Sequence, residues 1–263
     1  MSQETAKTPK IKLSSITKAF DVNGARESVL ESVNVVANSG EYISIIGPSR
    51  CGKSTLLNII AGLDDADGGM VEMESDASSV RLGRIGYMQQ KDLLLPWRSV
   101  IDNTILGLEL HGHTKKEARQ RAFDLVEIFG LKGFEHQYPQ ALSGGMRQRA
   151  AFLRTMLINQ DVILLDEPFG ALDALTRVQM QEWLLRVWES LNKTIVLITH
   201  DVDEALLLSD RIYLMTARPG RAALALDVNL PRPRRYDMVT TQAFSELKAR
   251  LMTPLRLQIQ AAS

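Results

Sequence analysis

The sequence predicts a doubly wound α/β fold, and three observations carry that reading. Two near-continuous apolar runs, DVILLDEP and TIVLITH, have the pattern of parallel strands buried on both faces, with the helical segment ALTRVQMQEWLLRVWES between them. A third run, YISIIG from Tyr42, passes through a glycine-containing loop directly into the helix-like STLLNIIAGL. The composition supports a core of that size, since 45% of the 263 residues are hydrophobic.

The remaining elements follow in chain order. From Ile11 to about Ile46 the pattern is strand-like, with IKLSSITKAF and VLESVNVVA set apart by the turn-rich DVNGARES and NSG. The helix STLLNIIAGL is expected to end at DDADGG, with short strands around MVEME and RIGYM. Between about 91 and 158 a helical insertion is expected. There TKKEARQRAFDLVEIFGL places Ala118, Ala122, Leu125, Val126 and Phe129 at helical spacing, and a second helix runs through MRQRAAFLRTMLI. The tail from Arg218 to Ser263 contains RPGR and LPRPRR and is predicted irregular. It closes on a short helix, TQAFSELKARLM, with Phe244, Leu247 and Leu251 on one face. The whole chain, 1–263, is read as one domain.

Charge and cysteine usage restrict the partners. Thirty-one basic residues balance thirty-one acidic ones, so no bulk field favours nucleic acid or an anionic membrane, and no nucleic-acid partner is expected. The single cysteine, Cys51, suits a reducing compartment. The start MSQETAKTPK is polar, and no run reaches the ~18 apolar residues of a membrane span. A cytosolic protein is expected, free to dock on something that does span a membrane.

The loop Gly47, Pro48, Ser49, Arg50, Cys51, Gly52, Lys53, Ser54, Thr55 spells G-x-x-x-x-G-K-[ST] between a strand and a helix. Glycines let backbone N–H groups converge on phosphate oxygens, and the helix start presents its positive end. Lys53 adds a point charge near the β and γ phosphates, and the Ser54 hydroxyl reaches Mg²⁺. Such a site needs an acid at the end of a buried strand. VILLDEP supplies Asp166 to organise Mg²⁺ and Glu167 to polarise an attacking water; without the loop, the same pair would read as a solvated strand end. His200, just past TIVLIT, is either a hydrogen-bonded structural histidine or a group placed at a γ-phosphate.

At LSGGMRQR, Leu142 to Arg149, the sequence resembles the signature of ATP-binding cassette (ABC) ATPases, and the resemblance covers about Ile11 to Met252. Ser143, Gly144 and Gly145 open a helix there and offer a second anion site. Other stretches match in family order. Phe20 in KAF matches the aromatic that stacks on adenine, Gln90 the Q-loop glutamine and magnesium ligand, and Glu167 the hydrolytic base. ALD, Ala171 to Asp173, matches the D-loop, and His200 the switch histidine. Gln89 stands beside Gln90, and the spacing to LLPW favours Gln90.

The resemblance implies a P-loop (RecA-like) core with an antiparallel β subdomain and a helical insertion, binding ATP and Mg²⁺. It also implies a head-to-tail pair of cassettes, in which each ATP lies between one loop and the partner's signature. Closure would pass to a transmembrane permease through the segment after Gln90, with an extracytoplasmic solute-binding protein acting indirectly. That places the chain on the inner face of the plasma membrane. LLPWRSVIDN, SGGMRQR, DEPFGALDALTR, THDVDEAL and RPGR with LPRPR are similar to importer ATPases for nitrate, sulfonate, taurine and related solutes. GYMQQKDLLLPW is also similar to importers of thiamine-pyrimidine precursors or riboflavin. An exporter, a soluble cassette acting on DNA or ribosomes, and a P-loop small-molecule kinase are the competing readings. The first lacks fused membrane segments, the second a tandem cassette or coiled coil, and LSGGM argues against the third. Leu94, Leu95 and Trp97 are expected to help form the groove that receives a permease cytoplasmic helix, with packing into the helical insertion as the alternative. Arg50 stands where the family usually has glycine and is expected to face the interface between cassettes.

Overall fold

A computed structural model of the chain describes residues 8–74, 81–170, 172–191 and 193–261. Met1 to Lys7 of the polar start, and Ala171 of the ALD stretch, lie outside the described residues. In chain order the first elements are β1 (Pro9–Val22), β2 (Ala25–Asn38), β3 (Tyr42–Ile46), α1 (Lys53–Ala61), β4 (Gly68–Met73) and β5 (Gly86–Met88). The helices α2 (Val100–Thr104), α3 (Leu106–Leu110), α4 (Lys115–Val126) and α5 (Gly144–Leu157) follow, then β6 (Val162–Asp166) and α6 (Ala174–Leu191). The chain continues through β7 (Thr194–Ile198), α7 (Val202–Leu208), β8 (Arg211–Met215), β9 (Ala222–Asp227) and α8 (Gln242–Ala261). These elements divide into two compact units, Met1–Arg84 with Asn192–Ser263, and Ile85–Leu191.

In the first unit β3 is central, running parallel to β7 on one side and β8 on the other, while β9 returns antiparallel along β8. All five residues of β3 are buried, as are all five of β7, which is why both read as unbroken apolar runs. Each such side chain contributes about 1.5–3 kcal/mol by leaving water. A separate antiparallel sheet, in the order β2-β1-β4, pairs the two long strands along most of their length. Its buried face alternates, with Ile11, Leu13, Val33 and Val35 inward.

The tail differs from expectation. Ala222–Asp227 is a strand, not irregular chain, because its pairing partner β8 lies seven residues upstream and supplies the ladder that the local sequence does not announce. The closing helix is also longer than TQAFSELKARLM, running from Gln242 to Ala261 with Pro254 inside it. Phe244, Leu247 and Leu251 do share its buried face. Helix α1 stops at Ala61, before DDADGG, with Gly62 as its cap.

In the second unit β5 runs parallel to β6. The helices α2 to α5 fall within 91–158. Helix α4 starts at a reciprocal capping box between Thr114 and Glu117 and ends at Val126, earlier than the apolar spacing suggests. Phe129 therefore enters the core from the turn beyond it, stacked edge-on against Trp183 with ring centroids 5.2 Å apart. Phe152 meets the same indole at 5.5 Å, and the Trp183 ring nitrogen donates to the Ile128 carbonyl at 3.0 Å.

Candidate functional site

The phosphate loop joins β3 to α1 at the carboxyl end of a central parallel strand, where an open α/β sheet places its ligands. Lys53 is the first residue of α1 and is buried. Its ammonium group turns back over the loop, donating to the Gly47 carbonyl at 2.9 Å and the Pro48 carbonyl at 2.8 Å. Gly52, just before the helix, has φ 100°, and a side chain there would meet Leu30 at 2.6 Å, so only glycine fits. Cys51 is buried; burial pushes its thiol pKa up, against the pull of Lys53. Ser49, Arg50 and Ser54 are exposed, and Thr55 is half-buried at the start of α1.

Arg50 has φ 63°, the left-handed region, and among the described residues its guanidinium makes no hydrogen bond or ion pair. His200 follows β7, the strand beside β3. The Thr199 amide donates to the Ile45 carbonyl at 3.3 Å, which brings the end of β7 alongside the start of the loop. Phe20 lies near the end of β1, 39% exposed, with the Lys18 ammonium 5.1 Å from its ring centroid.

The second unit carries the acids. Asp166 is the last residue of β6 and is buried, while Glu167 is half-buried with φ 45°. Left-handed backbone at a non-glycine residue costs about 1–3 kcal/mol and concentrates at functional positions. Because β5 and β6 are parallel, Gln90 leaves its strand at the same end as Glu167, and its amide nitrogen donates to the Glu167 carboxylate at 3.0 Å. Gln89 is exposed beside it. Tyr87 on β5 has its phenol pKa raised by burial and by the charge of Asp166.

The signature opens α5. Ser143 is its N-cap, accepting from the Met146 amide at 3.3 Å; Gly144 and Gly145 are the first two helical residues. Asp173 is exposed and accepts from the Thr176 amide at 3.0 Å at the start of α6, and hydrogen bonds from Thr176 hold its carboxyl below the usual range.

Three residues that the sequence did not single out mount the segment after Gln90. Arg147 of α5 pairs with Asp92 at 3.2 Å. Arg154, two turns on, donates to the carbonyls of Leu93 and Asp92 at 2.8 and 2.6 Å. Asn103, fully buried in α2, bonds both the amide and the carbonyl of Leu95, at 2.7 and 3.1 Å. The seven-residue spacing of Arg147 and Arg154 on α5 was the available signal, since it sets two basic side chains on the same helix face two turns apart. The expected apolar groove needs correction: Leu94 is buried at 8% exposure and Leu95 is half-buried, whereas Leu93 and Trp97 are exposed, Trp97 at 72%.

Over residues 30–170 the sequence matches the family described as ABC transporter. The chain belongs to the ABC transporter family. This cassette is 40% identical over 242 residues to the aliphatic sulfonates import ATP-binding protein SsuB of Bacillus cereus, covering 92% of this chain and 94% of that one. It is 42% identical over 228 residues to the formylaminopyrimidine import ATP-binding protein ThiZ of Halalkalibacterium halodurans, covering 87% and 88%. Among solved structures it resembles the dimeric cassette MJ0796, with a TM-score of 0.74, 31% identity, and 84% of this chain and all of that chain covered. A dimer of the same protein in a post-hydrolysis state with ADP and Pi gives a TM-score of 0.72. The P-loop α/β architecture and the assignment as an ABC importer ATPase thus rest on both sequence and fold. No helix among the described residues is long and apolar enough to cross a membrane.

Proposed function

We propose that this cassette is the ATP-hydrolysing subunit of an importer for a small organic anion of the sulfonate class, working as a head-to-tail pair beneath a transmembrane permease. The observation that carries the catalytic reading is Glu167, held in left-handed backbone at the end of β6 with its carboxylate bonded to Gln90. In this reading Glu167 takes the proton of the attacking water. Lys53 exchanges its two carbonyl partners for phosphate oxygens, and the amides of Gly47 to Thr55 hold the remaining oxygens. His200 bonds the γ-phosphate, Phe20 stacks on adenine, and Ser143 to Gly145 of the second cassette bind the nucleotide from the other side. Asp173 orders the interface between the pair.

Mg²⁺ suits these residue types. In this reading the Ser54 hydroxyl, the Gln90 amide and the Asp166 carboxylate would hold it, each a hard oxygen donor of the kind Mg²⁺ takes. The ion would neutralise charge on the transferred phosphoryl group.

The solute class rests on relatives near 40% identity, most of them sulfonate import proteins, with a formylaminopyrimidine import protein beside them. Reconstituting the cassette with its permease and a solute-binding protein tests it. Sulfonate-stimulated ATP hydrolysis is the expected result. Stimulation by a formylaminopyrimidine instead would move the assignment to the second class, and hydrolysis indifferent to permease and solute would remove the importer role.

A further inference from the structure

The RPGR stretch has no part in the chemistry above, yet it lies against the phosphate loop. Residues 216–221 form a tight turn after β8. The Thr216 amide donates to the Arg221 carbonyl and the Arg221 amide to the Thr216 hydroxyl, both at 2.9 Å, and that hydroxyl also donates to the Pro219 carbonyl at 2.9 Å. The turn is laced to β2: the Gly220 amide donates to Val29 O at 2.8 Å, and the Glu31 amide to Gly220 O at 3.0 Å. Arg218 and Arg221 pair with Glu27 and Glu31 at 3.1 and 2.7 Å on either side.

Gly220 is buried, and a Cβ built on it would stand 2.1 Å from the Cys51 carbonyl oxygen and 2.6 Å from the Met215 terminal methyl. Carbonyl oxygen and Cβ do not approach that closely, so a side chain here must displace the loop. The peptide unit is rigid and trans, which sets the Cys51 C=O and the Gly52 N–H in opposite directions. Whatever fixes the carbonyl therefore aims the amide. A Cβ on Gly52 would likewise meet Leu30 and Val29 at 2.6 and 3.0 Å, so both residues of Cys51–Gly52 are closely packed.

We infer that Gly220 is a positioning residue for nucleotide binding: by seating the Cys51 carbonyl against its bare Cα, it aims the Gly52 amide at the phosphates of ATP. This rests on the reading of Gly47 to Thr55 as the ATP loop. Phosphate affinity depends on converging N–H groups, and rotation of one peptide plane withdraws one of them.

Calorimetric titration of the full chain with ATP, beside thermal unfolding without nucleotide, tests the inference. Gly220→Ala is expected to lower the nucleotide-free unfolding midpoint and, in the folded variant, to weaken ATP binding by about tenfold to a hundredfold. Adding Met215→Leu, which removes the terminal methyl and leaves the carbonyl clash, is expected not to restore affinity. Parent-like affinity in folded Gly220→Ala, or recovery in the double variant, would overturn the inference. Should Gly220→Ala fail to fold, Thr216→Val decides: loosening the turn is expected to cost about fivefold in ATP affinity. A lowered midpoint with unchanged affinity would make the turn a stability element only. A parent chain with no affinity for ATP would instead bring down the loop assignment itself.

Discussion

The Gln90 amide and the Glu167 carboxylate meet at 3.0 Å, at the shared end of two parallel strands. One residue opens the segment mounted on α5, and the other is the proposed base. Glu167→Gln keeps the size and the hydrogen-bonding reach of the side chain but cannot take a proton. It is expected to lower ATP turnover by about a hundredfold or more while leaving ATP binding intact. Single-turnover hydrolysis at the parent's rate would remove Glu167 from the mechanism.

Lys53→Ala acts at an earlier step. The buried ammonium group serves the bound ground state as well as the transition state, so its loss is expected to raise the ATP dissociation constant by about tenfold to a hundredfold, the weight of one charge-assisted hydrogen bond. Equilibrium titration separates this from the Glu167 variant, and an unchanged dissociation constant would contradict the role.

Arg50 holds left-handed backbone without a compensating partner among the described residues. Arg50→Gly is therefore expected to stabilise the free subunit by about 1 kcal/mol and to leave its ATP affinity unchanged. If the guanidinium meets the second cassette, ATP-driven dimerisation of the variant loses part of its salt sensitivity, measured by sedimentation across ionic strengths. Identical salt profiles would assign Arg50 no interface role.

Exposure separates the two kinds of apolar residue after Gln90. Trp97→Ser, at a side chain 72% exposed, is expected to leave folding and basal ATPase near the parent's and to uncouple solute transport. Leu94→Ser places a hydroxyl in the core and is expected to cost about 2–4 kcal/mol of stability by chemical denaturation. Equal loss of folding by both would reject the docking assignment of Trp97.

Asp102 gives a pH signature. Burial would raise its pKa, but hydrogen bonds from Arg119 and Lys115 outweigh that, so its carboxyl lies below the usual range. A depressed folded value means stability that is full above the unfolded pKa of about 3.9 and lost as pH falls through the folded value. Asp102→Asn is expected to cost about 1 kcal/mol at pH 7, with the difference from the parent vanishing below that window. A deficit independent of pH would show that packing, not charge, is responsible.

Strands buried on both faces were readable because nothing interrupts their apolar runs: β3, β6 and β7 are each five buried residues. Membership of the ABC transporter family was readable because a phosphate loop and a signature stretch need particular residue types at fixed spacing. β9 was not, since AALALD becomes a strand only through its ladder to β8, a partner that local propensity does not see. Leu94 was misjudged because DLLLPW carries no period from which to tell inward from outward; Asn103 and Arg154, bonding its neighbours' backbone, decide the matter. Gly220 had no visible role, because a glycine's use against a carbonyl 169 positions earlier is written in tertiary structure alone.

Arg154 grips the backbone oxygens of Asp92 and Leu93 and not their side chains. Its hold does not depend on the side chain at 93, although the φ of 47° there disfavours β-branched residues, whereas position 92 stays tied to Arg147 through its carboxylate. The segment is thus gripped by its backbone at 93 and by its side chain at 92. Exchanging the exposed Leu93 side chain therefore leaves both bonds from Arg154 in place, provided the new residue accepts left-handed backbone.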